Sequence, residues 1–170
     1  MPAIDYLNRG PGTTVISRSV PFEDIASPEV LRLRAYVEKA RGDKAFMSKA
    51  DLDPAQIKPL LPLLALMEFS GPPLRVLYRL FGTSLVALYG ELTGTYLHER
   101  SDHPQLRQDA MMNYERLIVE KKPIYGITEV EVGENRHRTF EWAFFPLSSD
   151  DAVVTHALYI EQRSKARPRF

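Results

Sequence analysis

Apolar and polar positions alternate most regularly over residues 74–82, LRVLYRLFG. Leu74, Val76, Tyr78 and Leu80 fall on one side; Arg75, Leu77, Arg79 and Phe81 fall on the other. A period of two is that of a strand, and residues 63–70 predict its hairpin partner across Ser70-Gly71-Pro72-Pro73. Three more strands are expected at 124–132, 137–147 and 152–162, joined by short loops at 133–135 and 148–151. Residues 137–147 are apolar on both sides. Phe140, Trp142 and Phe144 face one way, and Ala143, Phe145 and Leu147 the other, which suits a central strand covered on both faces.

A helical period governs other stretches. Ser27-Pro28 opens a helix over 28–41, the serine as N-cap and the proline in the first turn, with Val30, Leu33 and Val37 on one face. Leu31, Ala35 and Tyr36 widen that face, and Gly42 ends the helix. Thr83 or Ser84 is expected to cap a short helix at 84–89 stopped by Gly90. Asp102 is expected to cap an amphipathic helix with Pro104 in its first turn, Leu106, Ala110, Tyr114 and Leu117 at helical spacing, and Pro123 at its close. Residues 51–62 read as a turn and a short helical piece. Residues 1–26 read as an irregular N-terminal arm in which 15–20 alternates enough for a short strand. Residues 163–170 form a basic tail.

Helix, two strands, short helices, long helix, three strands is the order of an α+β layer. The expected fold is one domain over 27–162. It has a five-stranded antiparallel sheet, helices on one face, and helix 28–41 or a second subunit on the other.

Composition narrows the function. With 170 residues, 22 Lys+Arg against 22 Asp+Glu and 44% apolar positions, the chain suits one ordinary domain without the basic excess of a nucleic-acid binder. There are no cysteines, which excludes disulfides, cysteine-based metal clusters and thiol nucleophiles. The most apolar stretch, residues 60–69, holds Pro62 and Glu68 and falls well short of the roughly twenty residues of a membrane span. No secretory pattern opens the chain, so no membrane partner and a cytoplasmic location are expected. Phosphate-cradling glycine loops and nucleophile elbows are absent.

The segment YRLFGTSLVALYGELTGTYL resembles the signature of a bacterial PAS subfamily, with Arg79, Gly82, Thr83, Gly90, Leu92, Thr93 and Gly94 matching in order. DLDP at 51–54 followed by LLPLLALMEF matches the preceding segment, and FFPLSSDD at 144–151 matches a hairpin that often carries Asp-Gly where this chain has Asp150-Asp151. The resemblance runs over about 28–162. It implies a PAS-like fold, a small-ligand cavity beside the 82–94 crossing, and a homodimer through helix 28–41 and the outer sheet face, where Leu77 and Phe81 are expected. It leaves the cofactor open. Haem or flavin is compatible with such a fold but not favoured; the photosensor form needs a cysteine.

Tyr78, Tyr89, Tyr114, Trp142 and His156 are the candidate cavity residues, since each has an apolar body and one polar tip. All five suit plain core packing as well. Arg79 suits an ion pair with Glu141 across the sheet, or the anchoring of a carboxylate or phosphate ligand. His98, Asp102 and His103 lie too close to the metalloprotease spacing to ignore, but two histidines five apart do not share a helix face, and a solvated loop is the better reading. His98 and His156 are the candidate haem ligands.

Three functions follow. The first is a non-catalytic sensory or regulatory module that binds a small molecule and signals through a protein partner not identifiable from the residues. The second is a dimeric interaction module with a filled core. The third is an acid–base enzyme built on Glu68, Glu141 or His156. The first is preferred.

Overall fold

The computed structural model describes residues 13–100, 104–132 and 136–165. Asp102 and His103, the 133–135 link and the end of the basic tail lie outside the described residues, as does the arm before residue 13.

Among the described residues six strands make one antiparallel sheet, not the expected five. In chain order they are β1 (Thr13–Val20), β2 (Leu64–Ser70), β3 (Arg75–Phe81), β4 (Ile124–Val132), β5 (Arg136–Leu147) and β6 (His156–Arg163). Their spatial order is β1-β4-β5-β6-β2-β3. The additional strand is β1, inside the stretch read as an irregular arm. It pairs with β4 along its whole length, from Thr13↔Val132 to Val20↔Tyr125. The alternation was present in its sequence, but a strand this polar is held by its neighbour's backbone groups rather than by its own apolar face. β6 begins at His156, later than expected, because residues 148–155 are used in a loop.

That loop explains the Asp-Asp turn. Asp151 takes the left-handed conformation, at φ 61°, that a glycine would occupy more easily. Its carboxylate accepts the backbone N–H groups of Ala45 and Phe46, at 3.1 and 2.8 Å, which a glycine could not do.

Among the described residues three α-helices cover the sheet: α1 (Pro28–Arg41), α2 (Thr83–Tyr89) and α3 (Pro104–Glu120). Ser27 caps α1 as expected, its Oγ accepting from Val30 N. α2 is not capped by Thr83 or Ser84. Its N-cap is Gly82, with no side-chain bond. Gly82 has an ordinary φ of −65°, and its requirement is space. A Cβ there would lie 2.4 Å from the Pro62 carbonyl oxygen and 2.5 Å from that of Leu61.

The sheet is buried on both faces, as the pattern of β5 requires. On one, Val30, Leu33 and Val37 of α1 pack on Leu66, Ala143, Phe145, Leu147, Leu158 and Ile160. On the other, Leu85 of α2 and Tyr114 and Leu117 of α3 pack with Met67, Val76, Tyr78, Trp142 and Phe144. The apolar stripe of α1 is therefore spent within its own chain.

One irregularity redirects a strand. Leu66 pairs with Leu80 and Met67 with Tyr78, so Arg79 is an extra residue, a β-bulge. Beyond it the faces exchange. Phe81 joins Tyr78 on the α2/α3 face, and Leu80 is left 44% exposed. The expected place of Phe81 on the outer sheet face is thus corrected: strict alternation does not survive an inserted residue.

Candidate functional site

The α2/α3 face of the sheet does not close completely. A cavity of about 100 Å³ remains between the inner faces of β3, β5 and β6, the end of α2, and α3. Its walls are rings. Trp142 and Phe144 come from alternate positions of β5, Tyr159 from β6, Tyr78 and Phe81 from either side of the bulge, Tyr89 from the last turn of α2, and Tyr114 from α3. Phe144 stands at the centre, with ring centroids 5.6 Å from Trp142, 5.4 Å from Tyr114 and 4.6 Å from Tyr159. The indole crosses β4 at Gly126, where a Cβ would come within 1.9 Å of it, and Nε1 donates to Thr128 Oγ1 at 3.0 Å. At the β1 end the lining includes exposed Ser17 and half-buried Asp109 and Asn113, a polar rim.

Two charged side chains reach the cavity from its other end. Glu161, on the same side of β6 as Tyr159, is only 4% exposed. Tyr89 Oη donates to its Oε2 at 2.8 Å and, on a longer arm, to Oε1 at 3.0 Å; Tyr159 Oη donates to Oε2. Burial pushes the Glu161 carboxyl up, against the opposing effect of the two tyrosine hydroxyls and Arg100. Burial, and then the Glu161 charge, push the Tyr89 and Tyr159 hydroxyls well above their usual value. Arg100, also buried, donates from Nη1 to Tyr78 Oη at 2.8 Å and stands 5.7 and 5.8 Å from the ring centroids of Tyr78 and Tyr89. Tyr114 Oη lies 3.5 Å from Tyr78 Oη.

Four of the six expected site residues, Tyr78, Tyr89, Tyr114 and Trp142, line this cavity. Arg79 and His156 do not. Arg79 is exposed and pairs with Glu68 on β2, not with Glu141. Glu141 lies three strands away across the sheet, roughly 14 Å at normal strand spacing, beyond reach of an ion pair. It is buried instead on the α1 side, accepting Ala26 N at 2.6 Å. His156 pairs with Leu147 on the opposite face and lies 3.7 Å from Glu68 Oε2. Burial lowers its pKa, against the pull of the Glu68 charge.

Glu68, Glu141 and His156, the acid–base candidates, are therefore all outside the cavity. His98 is stacked on Tyr96, centroids 5.5 Å apart, and does not line it either. A cavity of about 100 Å³ is smaller than a porphyrin or a flavin ring system. Among the described residues no group of three or more His, Asp or Glu is placed to hold a metal ion, and no helix is long and apolar enough to cross a membrane.

The residues missed from sequence were Phe81, Arg100, Tyr159 and Glu161. For Glu161 a signal existed. Ala157, Tyr159 and Glu161 share one side of a strand, and a carboxylate on the core-facing side is an anomaly worth following. Arg100 follows a short 3₁₀ turn in a loop, where no period marks it.

The carboxylates predict a two-sided pH profile of stability. Backbone N–H groups of Val153 and Ala152 hold Asp150 down to about 2, and the Lys44 and Ser48 hydrogen bonds hold Asp51 there too. A lowered folded pKa stabilises above the unfolded value of 3.8, and that contribution is lost as pH falls toward 2. Glu161 has the opposite sign. Its raised folded pKa costs stability as pH rises above 4.5 and through the folded value. Thermal melts from acid to neutral pH are expected to rise and then decline in the parent. In Glu161→Gln the acid rise should remain and the decline shrink; an equal decline in both would locate its cause elsewhere.

No family model matches the chain, and neither a curated protein nor a solved structure matches it. What the fold and site define is an α+β protein with a six-stranded antiparallel sheet and an aromatic cavity that holds a buried carboxylate and a buried guanidinium.

Proposed function

We propose that this chain is a non-catalytic sensory or regulatory module of the PAS type that holds a small molecule in the aromatic cavity. The observation that carries the reading is the convergence of Tyr78, Tyr89, Tyr114 and Trp142 on one cavity together with Glu161 and Arg100. Small-ligand sites combine apolar walls with a few placed polar groups, and this cavity has that composition. The order of helix, strand pair, short helix, long helix and strand triplet supports the PAS part of the reading, as does Gly90 at φ 83° ending α2 within the matched motif. Occupancy would bias α2 and α3, which contribute walls but no strands, and so change the surface offered to a protein partner.

A dimeric interaction module has one observation in its favour. About 100 Å³ is well under the roughly 300–1,000 Å³ of drug-sized pockets, so any occupant is small. A homodimer through α1 would use Leu31 and Ala35, the exposed apolar positions that its own core leaves free.

Native mass spectrometry of the freshly purified protein reads both. A retained adduct of small mass is the expected result, and it supports the sensory reading. A bare dimer that gains no mass from any small aromatic added at millimolar concentration would replace that reading with the interaction module.

A further inference from the structure

The polar groups of the cavity select among small molecules. Resting on the ligand-binding reading above, we infer that the ligand is a neutral, single planar ring carrying an N–H hydrogen-bond donor, such as an aryl amine or an N–H heteroaromatic, anchored on Glu161.

Size comes first. An engineered cavity of about 150 Å³ lined by apolar side chains accepts benzene, so about 100 Å³ limits the occupant to a single five- or six-membered ring with at most a small substituent. Shape comes second. The rings of Tyr78, Tyr89, Tyr114, Trp142, Phe144 and Tyr159 offer flat faces and edges, which a planar ring packs against best.

Hydrogen-bond direction comes third. A carboxylate has about four acceptor positions. The shorter of the two Tyr89 contacts and the Tyr159 bond both converge on Oε2, which leaves Oε1 with the 3.0 Å arm of a shared proton. Because Tyr89 and Tyr159 give their protons to Glu161, their oxygens are left as acceptors only. Around Glu161 the cavity thus asks for donors.

Charge comes last. The Arg100 guanidinium already stands over Tyr78 and Tyr89 and takes two of the ring faces that a cationic ligand could use. A second cation would meet like charge there, and an anion would meet Glu161. A neutral donor satisfies both.

The test uses aniline, toluene and benzoate, which share the ring and differ in substituent: neutral donor, no donor, anion. Trp142 is the only tryptophan of the chain and lines the cavity, so its indole N–H resonance reports binding directly and shows that the protein is folded. Titration of the full chain is expected to give aniline at least about tenfold tighter than toluene, with benzoate weakest. The aniline-to-toluene ratio is expected to fall several-fold in Glu161→Gln, because a neutral amide is a weaker acceptor than a carboxylate. Equal affinities for aniline and toluene in the parent, or an unchanged ratio in the variant, would overturn the donor requirement while leaving the ligand-binding reading in place. Preference for benzoate would overturn it in favour of Arg100 as anchor. An indole resonance unmoved by all three probes would instead sink the ligand-binding reading on which this inference rests.

Discussion

Leu33→Asp is expected not to fold. Leu33 has no exposed surface, and it sits in the middle turn of α1 against Phe145 and the neighbouring inner-layer residues. Truncating a buried leucine alone costs about 2–5 kcal/mol. An aspartate adds the burial of a polar group or charge with no partner, a further several kcal/mol. Whole domains are stable by only about 5–15 kcal/mol, so the sum removes most or all of it. Circular dichroism and a thermal melt read the result: loss of the cooperative transition, with Leu33→Ala melting early but still cooperatively. A stable, folded Leu33→Asp protein would mean that α1 does not cover the sheet as described. The same burial means that a change at Leu33 reports on folding and not on the association of two copies; Leu31, exposed two residues earlier, is the position that separates them.

The second large effect is at Trp142. Replacing it with alanine removes a side chain that is 3% exposed, packs edge-on to Phe144 and donates to Thr128. The expected loss is about 3–5 kcal/mol, the range for buried tryptophan truncations. Gly126 makes this site unusual. It has no side chain with which to fill the space over β4, so the void left by the indole stays open and joins the cavity. Denaturant unfolding should therefore show a lower midpoint, and the surviving folded protein should accept two-ring aromatics that the parent rejects. Trp142→Phe, which keeps a ring and loses the indole N–H, is expected to fall between the two. A Trp142→Ala midpoint within experimental error of the parent would show that the indole does not pack as part of the core.

These two sites differ in how far they can be read from the chain alone. That Leu33 is buried follows from local pattern. Val30, Leu33 and Val37 share a helix face, Ser27-Pro28 opens the helix, and Gly42 closes it. A helix with such a stripe must cover something. Likewise Trp142 to Leu147 is apolar on both sides, which requires a strand covered twice. The helix positions, five of the six strands, the two-layer cover and the aromatic character of one face were all legible, because each depends on a period of 3.6 or 2 within a few residues. Tyr78, Tyr89, Tyr114 and Trp142 could be singled out for the same reason.

Where those residues meet was decided only by the tertiary structure. Arg79 illustrates it. Nothing in LRVLYRLFG marks one residue as surplus, yet pairing with β2 leaves Arg79 unopposed, turns Phe81 into the cavity and Leu80 out of it. The Arg79 partner was misread for a related reason: Glu141 has the right charge, but the strand order puts β6 and β2 between them. Glu161 and Tyr89 are 72 positions apart and bond directly, a pairing no local pattern contains. Side-chain period records which face a residue takes within its own element. Register, strand order and the meeting of distant polar groups are set by the free energy of the whole assembled core, where each strand's pairing is chosen together with what covers it.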